Sequence, residues 1–223
     1  MFKYEMHCHT LPSNGGSPVE EHIDHLISLG FSGLVITNHF RWGSTALDRN
    51  MPWADFVEHY RRDWETGHEY GEKRDFDVLF AVEEHIGGGK EILVYGLTPK
   101  FFFDNPELAD HELETYSRLV RPAGGLVLQA HPWRVRHYMS DPGPVADLSL
   151  LDGIEVFNAG NTPEENENCA ALAAANPRFI LTAGSDAHAN DSAGRGGIAS
   201  PHRIKTEADL ALLLKSRRHT IVK

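Results

Sequence analysis

Short apolar runs alternate along this chain with stretches whose apolar residues recur at helical spacing. The runs predict strands at Phe2–His9, Gly33–Asn38, Phe76–Glu83, Glu91–Leu97, Gly125–Ala130, Gly153–Phe157 and Phe179–Ala183. The stretches between them predict helices near Val19–Leu29, Trp53–Tyr70, Pro106–Val120 and Pro163–Ala175, and a last one near Glu207–Lys215. In the first helix Val19, Ile23, Leu26 and Ile27 keep close to the helical period. Ser17-Pro18 reads as an N-cap followed by proline at the first helical position, and Gly30 as the stop. Strands alternating with helices predict a mainly parallel sheet, either open or closed into a barrel. Gly87-Gly88-Gly89 reads as a tight connection between two strands and His137–Asp147 as a loop, so residues 1–223 are expected to form one domain.

The first strand alternates in a telling way. Phe2, Tyr4, Met6 and Cys8 share one face, and Lys3, Glu5, His7 and His9 share the other. Cys8 is therefore expected to pack outward as a small apolar residue while His7 and His9 converge. Other strands finish in the same chemistry: His39 after LVITN, Glu83, Glu84 and His85 after LFAV, His131 after GLVLQA, and Asp186 with His188 after FILTAGS. Parallel strands bring their C-terminal ends to one rim, where α/β active sites lie. Imidazoles mixed with carboxylates suit zinc, manganese or iron and suit calcium badly. About seven ligands from such a set exceed what one tetrahedral ion can use, so two or three divalent ions sharing a carboxylate are expected.

Composition narrows the partners. The formal net charge of −11 disfavours wrapping a nucleic-acid backbone, although a bound cation would let a small anion enter. No apolar run is long enough for a membrane span, and the N-terminus has no signal-peptide core. Cys8 and Cys169 give no disulfide framework, which suits a reducing cytoplasm. The 14 histidines are scattered along the chain, so a shared purpose has to be assembled by folding. His22, His25, His59, His68 and His111 fall in helical stretches and read as surface residues.

The motifs HCH (7–9), TNH (37–39), AVE (81–83), QAHP (129–132) and GSDAH (184–188), in this order, resemble the PHP (polymerase and histidinol phosphatase) superfamily. The resemblance implies a distorted seven-stranded (β/α) TIM-like barrel. It also implies a two- or three-metal site at the C-terminal rim that acts on phosphate esters. Carried over by position, His7 and His9 hold the first metal, Glu83 bridges, Asp186 completes the cluster, and His131 serves the second metal. His39 and His188 serve a third or shared position. Glu84 or His85 as a ligand stays open. The sequence also departs from the pattern. Glu5 stands for an aspartate, Ser13-Asn14-Gly15 for a motif with an acid or histidine, Asn38 for an acid, and Leu93 where a histidine is common. A two-metal site, or a weakly held third ion, is the expectation.

The expected reaction is hydrolysis of a small phosphomonoester by a metal-activated water, of the histidinol-phosphatase or nucleotide phosphoesterase type. His39 or His188 would protonate the leaving group, and Arg195, with glycines around it, is favoured over Arg41, Arg134 and Arg136 for holding phosphate. Two alternatives stand beside it: an amidohydrolase-like enzyme cleaving C–N bonds, and a non-catalytic metal-binding module. The sequence does not specify the metal, the substrate or the oligomeric state.

Overall fold

The computed structural model covers residues 1–223. Its first half contains β1 (Phe2–Glu5), α1 (Val19–Ser28), β2 (Gly33–Ile36), α2 (Trp53–Glu72), β3 (Asp77–Phe80), β4 (Val82–His85), β5 (Glu91–Tyr95) and α3 (Pro99–Asp104). The second half contains α4 (Leu113–Val120), β6 (Leu126–Gln129), β7 (Gly153–Asn158), α5 (Pro163–Ala175), β8 (Ile180–Gly184), β9 (Gly197–Ser200), α6 (Glu207–Ser216) and β10 (Thr220–Val222). The strands form two five-stranded sheets, ordered β10-β9-β1-β2-β3 and β4-β5-β6-β7-β8. No helix is long and apolar enough to cross a membrane.

This corrects the expectation of a closed seven-stranded barrel. Gly87, Gly88 and Gly89 all sit at positive φ and turn the chain back on itself, so β5 runs antiparallel to both β4 and β6. On the other sheet β1 is flanked by antiparallel β9, which is paired in turn with β10. The sheets are therefore mixed, with parallel ladders confined to β1–β2, β2–β3, β6–β7 and β7–β8. The run Phe76–Glu83 is not one strand. It breaks at Ala81 into β3 and β4, which belong to different sheets. Isolated parallel bridges, Cys8 with Ala187 and His39 with Glu83, join the chain beyond β1 and β2 to the β8 and β4 edges of the other sheet.

The space between the sheets is filled from both. Tyr4, Met6, Val35, Leu93, Tyr95 and Leu128 belong to one buried cluster. The Tyr95 hydroxyl donates to the Met6 carbonyl at 2.8 Å, so a strand of one sheet is fastened to the chain leaving the other. Outside, α2, α3 and α4 cover an aromatic cluster in which Phe40 meets Phe56, Tyr60 and Phe102 edge-on. Cys8 packs with Val19, Ile23 and Leu26 of α1. Ser17 does not cap that helix, whose first residues follow Pro18 without a side-chain hydrogen bond.

His22 is not a surface residue. It is fully buried on α1, with Nδ1 at 3.4 Å from Cys8 Sγ and no partner for Nε2. Burial lowers its pKa from 6.5 to about 4. Below pH 6.5 the unfolded chain takes up a proton that the folded chain refuses until about pH 4, so His22 makes stability fall as pH drops through that window. His22→Leu is expected to flatten this dependence by roughly 2–3 kcal/mol, read as the difference in urea-unfolding stability between pH 7 and pH 4.5. An unaltered slope would show that His22 is not the group responsible.

Candidate metal centre

The backbone around the strand ends is held before any side chain is considered. Beyond β1 the chain stays extended, and His9 N donates to Ala187 O at 2.8 Å, which fixes HCH against the loop after β8. Glu83 N donates to Asn38 O at 3.1 Å and Phe40 N to Glu83 O at 2.7 Å, which fixes TNH against β4. Gly184 lies directly behind His7: a Cβ there would come within 2.3 Å of His7 Cβ, so no larger residue fits. His131 and Asp186 take positive φ values of 29° and 53°, a region that non-glycine residues seldom occupy.

Glu83 is the centre of the cluster. Its Oε1 lies 3.1 Å from His7 Nε2 and 3.2 Å from His131 Nε2; its Oε2 lies 3.2 Å from His9 Nε2 and 3.1 Å from His39 Nδ1. Asp186 Oδ1 lies 3.1 Å from His9 Nε2 and 3.5 Å from His7 Nε2. His188 packs against the His9 ring at 4.4 Å between centroids, with its Nδ1 2.9 Å from the Asp186 carbonyl oxygen. His7, His9, His39, Glu83, His131, Asp186 and His188 are thus brought together, and all but the half-exposed His188 are shielded from solvent.

Hydrogen bonding accounts for part of this proximity, as between His131 Nε2 and Glu83 Oε1 at 3.2 Å, but not for all of it. His9 Nδ1, His39 Nδ1 and Glu83 Oε2 are buried without a hydrogen-bond partner, although His39 Nδ1 and Glu83 Oε2 are 3.1 Å apart. Polar groups left so in a buried site are rare and need an explanation, and lone pairs converging on a common point are what a cation would satisfy. The donor set therefore fits divalent metal ions. Protons gather where carboxylates are concentrated. Burial would lower the His7 pKa, but Glu83, Glu155 and Asp186 hold it well above its usual value. Against burial and Arg134, hydrogen bonds to Glu83 and Glu91 raise His131 to about 9. At His39 burial wins over Glu83, and the ring falls to about 3. Burial would raise Glu83, but His7 and His39 hold it well below the carboxylate range.

Supporting side chains complete the arrangement. Glu155 Oε1 lies 3.0 Å from His7 Nδ1, and its Oε2 accepts from His131 N at 3.0 Å and Asn158 Nδ2 at 2.8 Å. One carboxylate thereby aims one imidazole and anchors the backbone of another, an outer contact of the kind that fixes metal-binding histidines. Glu5 does not orient a ring. Its oxygens accept from the backbone N–H groups of Met6, His7, Ser185 and Gly194 and from the Ser185 hydroxyl, tying β1 to the loop after β8.

One expectation is not met, and the residues left open fall outside the cluster. Arg195 is exposed, donates to the Asp191 carbonyl at 3.2 Å and lines a separate depression with Phe157 and Lys223. The guanidinium at the cluster is Arg134, buried and bonded to Asp186 Oδ2 at 2.5 Å, Asn158 Oδ1 at 2.8 Å and Asn161 Oδ1 at 3.0 Å. Glu84 turns away from the cluster. It accepts from Trp42 N and His85 N at 2.9 Å, and burial raises it to about 8. His85 faces the hairpin glycines. Asn38 holds Thr10 and reaches Asp63 on α2 at 3.2 Å, so it stands apart from the donors. Leu93 is in the core. The residue that sequence reasoning missed is Glu91, whose Oε1 lies 3.4 Å from His39 Nδ1 and Oε2 3.4 Å from His131 Nε2. The search considered the ends of strands; the glycine hairpin reverses β5 and puts its start at the same rim.

The cluster opens into a cavity of about 190 Å³, walled by Asn14, Ser44, Arg134 and Tyr138 besides the donors. That is below the roughly 300–1,000 Å³ of pockets for drug-sized ligands, so it suits a small anionic group with the remainder of a ligand outside.

Solved structures share this fold at low sequence identity. A protein from Bifidobacterium adolescentis predicted to be a metal-dependent phosphoesterase matches with a TM-score of 0.61 at 16% identity, over 95% of each chain. A two-domain protein from Bacteroides vulgatus containing a predicted PHP-like metal-dependent phosphoesterase matches with a TM-score of 0.65 at 15% identity. That match covers 99% of this chain but 64% of the longer protein. An amidohydrolase from Chromobacterium violaceum, with bound sulfate and no metal, matches with a TM-score of 0.58 at 15% identity over 99% of this chain and 97% of its own. No protein-family model and no curated protein matches the chain. The likeness that its motifs bear to the PHP superfamily is thus accompanied by a fold in common with structures described in those terms.

Proposed function

We propose that this protein is a metal-dependent hydrolase of phosphate esters, acting on a small phosphomonoester at a site of two or three divalent ions. The observation that carries this reading is Glu83, one buried carboxylate facing four imidazole nitrogens at 3.1–3.2 Å with hydrogen-bond geometry unmet at Oε2. When bound, zinc, manganese or iron in such a set supplies hydroxide near neutral pH and offsets charge on the phosphoryl oxygens. His7, His9 and Asp186 would hold one ion, and Glu83 and His131 a second, with His39 and His188 at a third or shared position.

The remaining residues have separable tasks. Arg134 donates one N–H from each of its three nitrogens to Asp186, Asn158 and Asn161, so its unused N–H groups are available to phosphate at the cavity wall. His188 has its Nδ1 beside the Asp186 carbonyl, which leaves Nε2 to hold an ion or to pass a proton to the leaving oxygen. The description of the Chromobacterium violaceum neighbour as an amidohydrolase keeps C–N bond hydrolysis as the second reading. Against the latter, Lys90 is engaged with Asp141 and not with the donors, so no lysine is placed to bridge ions.

The experiment is turnover of p-nitrophenyl phosphate by metal-stripped protein before and after addition of manganese, zinc or iron, beside a panel of amides. Activity restored by metal and reduced at least about 100-fold in His9→Ala is the expected result. Metal uptake with no hydrolysis of any ester would overturn the reading in favour of a binding module. Amide turnover in its place would favour the second reading.

A further inference from the structure

We propose that Glu91 is itself a metal ligand, and that it makes the His39–His131 side of the centre rich enough in carboxylate to admit hard cations such as manganese or magnesium with less discrimination in favour of zinc. The inference rests on the metal-dependent reading above and specifies which ions one part of the site accepts.

Glu91 spans two imidazoles, with one oxygen 3.4 Å from His39 Nδ1 and the other 3.4 Å from His131 Nε2. The donor atoms of His39, Glu83 and Glu91 lie within 4.8 Å of one another. Glu91 partners His131 through Oε2; were Oε1 likewise only a charge partner of His39, it would draw the ring N–H into line with itself. His39 Nδ1 instead has no hydrogen bond, although oxygens of Glu83 and Glu91 stand 3.1 and 3.4 Å away. Two anionic oxygens and an imidazole nitrogen that converge without hydrogen bonding describe a cation site.

The backbone gives Glu91 little freedom to be elsewhere. Its carbonyl accepts from Ala130 N at 3.0 Å, beside ligand His131, and it is paired with His85 across the hairpin. Its neighbour Lys90 is bound to Asp141 in the loop over the hairpin. Charge gives Glu91 a purpose. The cavity wall carries the neutral Asn14, and the core side of β5 carries Leu93, so neither supplies an anionic donor on this side. Glu91 restores one with an added negative charge. Carboxylate oxygen suits manganese and magnesium, whereas imidazole nitrogen favours zinc.

Metal content after dialysis of the apoprotein against equimolar zinc and manganese tests this without reference to turnover, in wild type, Glu91→Gln and Glu91→His. The apoprotein melting temperature of each variant reports folding. Glu91→Gln is expected to bind one ion fewer per chain. Glu91→His is expected to keep the full number while its zinc-to-manganese ratio rises by about tenfold or more. Wild-type ion number and ratio in both variants would overturn the proposal. No uptake by wild type would overturn this proposal and the metal-dependent reading together, whereas the expected shift in metal content without ester hydrolysis would remove only the phosphoesterase reading.

Discussion

Glu83→Gln is expected to release metal from the centre and to lower metal-dependent hydrolysis by about 10²–10³-fold or more, with little change in volume. The carboxylate is approached by His7, His9, His39 and His131, two on each oxygen. An amide offers one oxygen and an NH₂ group, so on one side it would aim donors at nitrogens placed to give lone pairs. It also removes the charge that, after the opposing effect of burial, holds His7 and His131 above their usual values. Metal content by plasma mass spectrometry and turnover with saturating manganese should fall together. Full metal content with unchanged turnover would remove Glu83 from the centre of the site and take the functional reading with it.

Glu5→Ala should act on folding instead. Glu5 is fully buried and accepts five hydrogen bonds, four from backbone N–H groups and one from the Ser185 hydroxyl. Truncation leaves those donors facing a void, and each unsatisfied buried donor costs about 1–3 kcal/mol before water enters or the loops shift. Even partial relaxation leaves a loss of several kcal/mol, a large share of the roughly 5–15 kcal/mol that holds a domain together. For a chain of this size that is a fall in melting temperature of about 10 °C or more, measured by circular dichroism on the metal-free protein. Glu5→Gln should fall between, since it keeps one acceptor oxygen. A melting temperature within about 2 °C of wild type for Glu5→Ala would show that the β1–β8 junction does not depend on this carboxylate.

The donors could be read from the sequence because strand ends carry a local signature: an apolar run, then a histidine or an acid at a spacing of two. That signature needs no knowledge of which sheet each strand joins. Closure of the sheets does, and it failed for that reason. The break at Ala81 is invisible in an apolar run that reads continuously through Phe80 and Val82, and β9 and β10 are short and glycine-flanked or terminal. Glu91 escapes the strand-end signature although Gly87-Gly88-Gly89 reads as a tight connection between strands, because a reversal in direction moves the start of a strand to the rim where the donors gather. Arg195 was favoured for its glycine neighbours, but room around a residue says nothing about the side on which it opens; Arg134 lies next to QAHP and follows His131 into the cavity wall. His22 shows the same limit from the other direction: its helical stretch reads it as a surface residue, and the fold buries it beside Cys8.

His131 and Asp186 stand on backbone that suits glycine better than an imidazole or an acid. Such conformations raise the free energy of the folded state by about 1–3 kcal/mol each, and they persist only while the surroundings insist on them. Were a descendant of this chain to lose the donors Glu83 and Glu91, the side-chain contacts of His131 would go with them, whereas loss of Asp186 would strand the buried guanidinium of Arg134. A glycine in place of His131, with Asp186 and Arg134 intact, would therefore be the mark of a relative that lost the cluster and kept its shape.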